Sequence, residues 1–466
     1  MATLALDDNI VVTNPADGST LGRVKRASEA DIDRAVRAAH AAFLEWREIP
    51  VVERARRFFK LQTLLEERLD ELAQLVANEN GKMLADARGE VRRGIECVEF
   101  ACGMPSLLMG DSLEGIARGI DSQTIRQPLG VCIGITPFNF PFMIPMWMFP
   151  IAIAAGNTFV LKPSPQTPLS AERILELFRQ SGFPENVLQV VHGDRPVVEA
   201  LIAHERTAAV SFVGSSSVAR SVQHLAVEHH KRVQALGGAK NFLVVMPDGV
   251  NDATVEAIMG SAFGAAGERC LAGSVVIAVG DAAKQLVPKL RTAAGALNVA
   301  PWNTDGAQMG PVISEQARER IVGYIDDGLR TSDLVVDGRG QGPPGGTFLG
   351  PTVFDNVDPE QPLARDEIFG PVLAVVHAPD LDAAIDVANR SRYGNAASIF
   401  TQSGKAAQRF AHRIEVGMVG INVGVAAPMA FFPFGGVKDS IFGDLRAHGK
   451  DGVAFYTQQK VLISRW

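Results

Sequence analysis

Apolar residues recur along the chain in two rhythms. Over residues 29–48, 50–78 and 84–102 they fall at helical spacing. In the second of these stretches Val51, Ala55, Phe58, Leu61 and Leu65 stand among Arg and Glu, the signature of an amphipathic helix. On the third, Arg92, Glu96 and Glu99 share one face and read as solvated i, i+4 pairing. Arg93 lies on another face with Cys97 and Phe100, a lone guanidinium on an apolar stripe. From residue 130 the rhythm changes. Short apolar, strand-like runs (Val131–Ile135, Thr158–Leu161, Leu188–Val191, Ala209–Val213, Phe242–Met246) are separated by helical patterns at 168–182, 195–204 and 216–229. That alternation predicts a parallel, doubly wound sheet. A second series follows, with strands at Val275–Val279, Leu334–Val336, Thr352–Phe354, Val372–Val376, Ala397–Phe400 and Val419–Val423. Its helices are predicted at 281–297, 314–330, 380–391 and 404–414. The fold class is therefore α/β in two lobes. The tail, 453–464, is strand-like and needs a partner, so it is expected to join a sheet in another subunit.

Length and composition narrow the picture. With 466 residues the chain exceeds one ordinary core, and 47% apolar with 21% charged residues describes a soluble globular protein. A net charge of −7 gives no electrostatic reason to expect nucleic acid or an anionic membrane as partner. The four cysteines, Cys97, Cys102, Cys132 and Cys270, have no zinc-type spacing, so no metal site is expected and a reducing cytoplasm suits them. Met1 to Ile10 carries Asp7 and Asp8 and reads as no signal peptide. The most apolar segment, Pro141 to Ala155, is shorter than a bilayer crossing and contains Pro141, Pro145 and Pro150, so it reads as a buried helix or cleft wall.

Candidate chemistry concentrates at Gly267-Glu268-Arg269-Cys270. This stretch joins a small-residue run (Ser261–Ala266) to the strand at Val275–Val279. A thiol at such a junction can open into a cleft and, as a thiolate ionising near neutral pH, attack a carbonyl carbon. A buried structural cysteine is the alternative, and the charged Glu268-Arg269 pair beside it counts against that. No Gly-x-Gly-x-x-Gly follows any strand. In its place Phe212-Val213-Gly214-Ser215-Ser216 runs from a strand through glycine into a helix start, where backbone N–H groups can face a phosphate.

Several stretches together resemble the aldehyde dehydrogenase superfamily: Ile135–Pro141, Gly156–Ser164, Phe212–Ser215, Gly267–Cys270 and Asp366–Val372, in family order over nearly the whole chain. The CoA-acylating methylmalonate-semialdehyde dehydrogenase branch resembles it further at Gly89–Val91 with Arg93–Glu96, Trp147–Pro150, Gly238–Asn241, Pro428–Phe434 and Gly449–Gly452. The resemblance implies that Cys270 is the nucleophile and Asn139 an oxyanion donor. It implies coenzyme contacts at Thr136, Pro137, Phe138, Lys162, Ser164, Ser215, Glu367 and Phe369. Arg93 and Arg269 match arginines of the branch and are expected to clamp a substrate carboxylate.

The resemblance further implies the aldehyde dehydrogenase fold. A Rossmann-like coenzyme-binding domain would occupy 1–115 and 135–237, and an α/β catalytic domain 238–440. A β oligomerisation element would pair 116–134 with 441–466 in a homodimer or homotetramer. The implied reaction is NAD- and CoA-dependent oxidation of methylmalonate or malonate semialdehyde to propionyl-CoA or acetyl-CoA, with loss of the carboxylate through a cysteine thioester. The branch usually has a glutamate that excludes NADP where this chain has Pro165, so NADP is expected to be tolerated. Hydrolytic members carry a glutamate before Leu-Gly-Gly, whereas here the run is Ala235-Leu236-Gly237-Gly238. A hydrolytic aldehyde dehydrogenase making a free acid and a non-catalytic protein retaining only the fold are the rival readings.

Overall fold

The computed structural model describes residues 9–466, so most of the N-terminal stretch read for a signal peptide lies outside the described residues. Four N-terminal helices, Glu29–Trp46, Val51–Glu67, Leu69–Asn80 and Leu84–Cys102, follow the helical stripes of the sequence. The stretch read as one helix over 50–78 is two. Arg68 leaves helical geometry at φ −109°, ψ 12°, although the apolar stripe continues across the break through Leu65 and Leu72. Salt bridging also differs from the i, i+4 reading. Arg92 pairs with Glu66 and Glu99, while Glu96 turns to Arg93 at 3.8 Å, so Arg93 is not a lone charge.

The first sheet has six strands in the order Ile441–Phe442, Arg232–Leu236, Thr207–Val213, Val131–Ile135, Thr158–Lys162 and Leu188–Val190. All pairs are parallel except the outermost, Ile441–Phe442. Val131–Ile135 lies at its centre, and the chain builds outward from it in both directions. The crevice beyond its C-terminal end is thus a topological switch point, where such sheets bind ligands. Residues 131–134 and 441–442, allotted by sequence to the oligomerisation element, belong to this sheet. The apolar segment near 141–155 forms the helix Met143–Ala154, which buries nearly its whole length against the sheet and the N-terminal helices, despite Pro145 and Pro150.

The second sheet has seven strands in the order Asp333–Val336, Thr352–Asp355, Val372–Ala378, Gly273–Val279, Asn241–Val245, Ala396–Phe400 and Met418–Ile421, antiparallel only at its first pair. Its core is a separate apolar cluster of Val, Ile, Leu and Phe. The N-terminal ends of Asn241–Val245, Gly273–Val279 and Ala396–Phe400 carry the residues that meet the first sheet's ligand edge. Asn157 ties the helix Met143–Ala154, the start of the strand Val131–Ile135 and the tail together. Its amide nitrogen donates to the carbonyls of Ala152 and Tyr456, and its oxygen accepts from the N–H groups of Leu129 and Gly130.

A third sheet orders Thr457–Arg465, Ile120–Pro128 and Ser112–Ala117, all antiparallel. The tail therefore pairs over nine residues with its own chain. Residues 453–455 are not strand but part of the helix Gly449–Phe455, because helical hydrogen bonds and burial of Val453 and Phe455 take precedence over their β-propensity. Among the described residues no helix is long and apolar enough to cross a membrane.

Candidate active site

Cys270 sits in the short link between the helix Asp252–Phe263 and the strand Gly273–Val279. The link is tightly wound: Ala265 and Ala266 adopt left-handed angles (φ 49° and 52°), and Gly267 follows at φ 73°. A Cβ on Gly267 would collide with the Gly370 carbonyl, so glycine is required there for space as well as angle. Two asparagines hold the result in place. Asn241 and Asn395, each at the N-terminal end of a neighbouring strand, donate to the Cys270 carbonyl at 2.9 Å. Neither was singled out for a role by sequence, since nothing along the chain marks which carbonyl a buried amide will find.

Asn139 is buried in the loop after Val131–Ile135, and its amide nitrogen donates to the Glu268 carbonyl at 2.9 Å. Its amide oxygen is buried and unpartnered. The loop is fixed from below by a buried ion pair, Lys82–Glu90, at 2.7 Å. Lys82 also donates to the Asn139 carbonyl at 2.5 Å and stands over the Phe140 ring. Glu90 accepts the N–H groups of Phe142 and Met143. A buried charge pair persists only when its remaining hydrogen-bonding positions are filled, and here they are. Glu268, charged in the sequence beside Cys270, is buried and accepts the Ile313 N–H. Burial pushes its carboxyl up to about 8, so it is a neutral structural group at pH 7.

Two cavities meet at the Cys270 thiol. One, of about 340 Å³, is lined by Pro137, Phe138, Asn139, Ser215, Cys270, Glu367 and Phe369. It lies at the switch-point crevice of the six-stranded sheet. Phe138 and Phe369 meet edge to face at 5.9 Å, with Phe369 at φ 54°. Glu367 accepts the Ala239 N–H, and a Cβ on Gly238 would strike its carboxylate. Burial raises Glu367 to about 7. Of the other sequence-predicted coenzyme residues, Thr136, Lys162 and Ser164 lie further along the strand ends rather than in this cavity. Lys162 is buried and donates to the Gly193 carbonyl at 3.0 Å, and its ammonium is lowered to about 8 by burial. The Thr136 hydroxyl is buried and unpartnered, a donor left for a ligand. Ser164 caps its own turn through the Gln166 N–H, and Ser215 is exposed at the N-terminus of the helix Ser216–Glu228. Among the described residues no group of three or more His, Cys, Asp or Glu could hold a metal.

The other cavity, of about 280 Å³, brings Arg93 and Arg269 together with Cys270, and its walls include Phe140, Trp147 and His448. Arg93 donates to the Pro428 carbonyl at 2.6 Å, which docks the 425–434 loop over the cavity. Arg269 donates to the carbonyls of Gly260 and Ser261, while its Nε is buried and unpartnered. The thiol itself is not the ready thiolate that sequence suggested. Burial, with the Glu367 carboxylate adding to it, pushes Cys270 up to about 12.

A half-buried cysteine that shares a cavity with a buried asparagine, at the crevice between two α/β sheets, fits an enzyme of the aldehyde dehydrogenase class. The chain belongs to the aldehyde dehydrogenase family, whose model matches residues 4–462. Within that family its likeness is to the semialdehyde dehydrogenases. It is 54% identical to malonate-semialdehyde dehydrogenase 2 of Geobacillus thermodenitrificans, over 98% of this chain and 95% of the relative. The methylmalonate-semialdehyde dehydrogenase structure from Oceanimonas doudoroffii matches at TM-score 0.96 and 45% identity, covering 100% of this chain and 96% of that one. A Sinorhizobium meliloti structure, described as a methylmalonate-semialdehyde dehydrogenase complexed with NAD, matches at TM-score 0.97 and 44% identity, covering 100% and 96%.

Because the thiol is protonated in the free protein, its alkylation by iodoacetamide should be slow at pH 7 and climb about tenfold per pH unit through pH 9, as the thiolate fraction rises toward a high pKa. Mass mapping of labelled Cys270 checks this. A rate that levels off near pH 7 would mean an already activated thiolate.

Proposed function

We propose that the protein oxidises malonate or methylmalonate semialdehyde with NAD and CoA, losing the carboxylate to give acetyl-CoA or propionyl-CoA. The observation that carries this reading is Cys270 shared by two cavities, one at the switch-point crevice of the six-stranded sheet and one holding two arginines. The likeness to malonate- and methylmalonate-semialdehyde dehydrogenases supports it.

The aldehyde enters the arginine-lined cavity with its carboxylate against Arg93 and Arg269. Attack by the Cys270 sulfur on the aldehyde carbon forms a thiohemiacetal, whose oxygen receives the Asn139 amide and the Cys270 N–H. One such donor is worth about 3 kcal/mol of barrier. Thr136, Pro137, Phe138, Lys162, Ser164, Ser215, Glu367 and Phe369 would hold NAD. The narrow cradle at Gly238, which a Cβ would fill, and the unpartnered Thr136 hydroxyl fit that group. Bound there, the nicotinamide would take the hydride released as the thioester forms. Ala235 is fully buried in its strand and cannot accept a proton, so water lacks the general base that typically contributes ~10²–10⁴ in rate. The thiol of CoA, the better nucleophile, is left to take the acyl group.

The tail sheet is bare in the single chain: Val461 and Ile463 are more than 60% exposed. The outer strand of the seven-stranded sheet, Met418–Ile421, is likewise an open edge exposing Val419 and Ile421. Unpaired apolar edges of this kind support a homodimer or homotetramer in which one chain's tail extends the partner's sheet. Four thiols with no disulfide among the described residues suit the cytoplasm.

Product analysis with malonate semialdehyde, omitting NAD and CoA in turn, tests the reading. Acetyl-CoA should require both, and malonate as the main product would favour the hydrolytic alternative. Arg93→Ala should raise KM for malonate semialdehyde roughly 10–100-fold, the loss of one charge-assisted hydrogen bond, while barely changing that for propionaldehyde. Arg269→Ala should do the same and also slow both substrates, because Arg269 ties down the nucleophile's loop. Equal KM changes with both aldehydes would contradict the clamp. With Pro165 in place of an acidic residue, NADP should be used with a kcat/KM less than about a thousandfold below that of NAD, a gap of about 4 kcal/mol. A larger gap would place the exclusion elsewhere.

A further inference from the structure

His448 lines the same cavity as Arg93 and Cys270, and no step above uses it. It is 2% exposed, and its backbone sits at φ 41°, ψ −170°, a conformation that a non-glycine residue holds only when its surroundings impose it. The ring is boxed by Trp147, edge to face at 5.3 Å, and by Phe434. Its Nδ1 lies 2.7 Å from the Phe432 carbonyl. A carbonyl only accepts, so Nδ1 carries the hydrogen and the neutral ring presents a bare lone pair at Nε2. That nitrogen has no hydrogen-bond partner among the described residues. The charged groups around the same cavity are Arg93 on the helix Leu84–Cys102, Arg269 beside the nucleophile, Asp86, and the mutually paired Lys82 and Glu90; the thiols are Cys97 and Cys270.

We propose that His448 takes up a proton when the substrate carboxylate binds and delivers it to the α-carbon as that carboxylate departs. This rests on the decarboxylating reaction proposed above. In the free cavity, burial and the nearby Arg93 both oppose a second positive charge, which holds the imidazole at about 4, neutral at pH 7. A bound carboxylate reverses that balance by supplying the missing counter-charge, and Nε2 becomes N–H. After the thioester has formed, the bond between the α-carbon and the carboxyl carbon breaks. Its electron pair stays on the α-carbon and spreads into the thioester carbonyl, whose oxygen faces the Asn139 amide, and CO₂ leaves neutral. One proton is consumed in completing the acetyl or propionyl thioester. The Nε2–H bond breaks, the proton passes to the α-carbon, and the imidazole returns to neutral. With the carboxylate gone, the same burial and the same Arg93 that kept the free ring neutral now drive the proton off.

His448→Asn and His448→Gln, which keep a polar side chain in the box but cannot carry the proton, test this in the full enzyme. With malonate semialdehyde, NAD and CoA, both variants should release malonyl-CoA, with the acetyl-CoA to malonyl-CoA ratio falling at least tenfold. That loss should exceed any loss of propionyl-CoA formation from propionaldehyde by at least tenfold. Calorimetry with 3-hydroxypropionate in buffers of different ionisation enthalpy should register uptake approaching one proton per site in the wild type at pH 7, and close to none in the variants. An unchanged product ratio, equal losses with both aldehydes, or undiminished proton uptake in both variants would overturn the assignment. If the wild type itself forms no decarboxylated product, the underlying reaction is wrong and the inference falls with it, a result the wild-type control gives before any variant is compared.

Discussion

Three asparagine amides carry the active site. Asn241 and Asn395 grip the Cys270 carbonyl from the N-terminal ends of two strands, and Asn139 grips the Glu268 carbonyl from the ligand edge of the other sheet. The link they hold contains consecutive left-handed residues and could not keep that path unaided. By anchoring main chain rather than side chains, the amides leave the Cys270 thiol free to face both cavities. They also set the position of Cys270 relative to Asn139, because Asn139 is itself one of the three clamps. The two sheets are thus joined at the point where the chemistry occurs.

Burial supplies the rest. Lys82 and Glu90 neutralise each other beneath the Asn139 loop, Glu268 is held neutral, and Cys270 is kept as a thiol. Each of these groups would be an ordinary charge or a partly ionised thiol in water. Removed from it, they leave Arg93 and Arg269 as cations of the second cavity, with Glu96 3.8 Å from Arg93 and Asp86 in the wall, a field suited to a substrate that carries a carboxylate.

Much of this was legible in the chain. The short continuous apolar runs located eleven of the strands to within two residues, and the small-residue run before Cys270 marked the junction in which the thiol sits. Pro137, Phe138, Asn139, Ser215, Glu367 and Phe369 converge on one cavity with Cys270, and Arg93 and Arg269 on the other. Tertiary partners were not legible. The break at Arg68 occurs within an unbroken apolar stripe, and Val453 and Phe455 carry β-propensity but are buried as helix. Lys82 and Glu90, eight residues apart, give no sign that they will meet beneath the Asn139 loop. Asn241 and Asn395 look like ordinary loop polar residues until the strands are side by side.

Ala235 cannot serve as a base to activate water, so the proposed acyl group on Cys270 would wait for CoA. Rapid mixing of the enzyme with NAD and malonate semialdehyde, without CoA, follows NADH directly. A burst of about one NADH per active site followed by a near stall, relieved when CoA is added, is the predicted result for a turnover lacking general-base help to water. Steady NADH formation at an undiminished rate without CoA would contradict it.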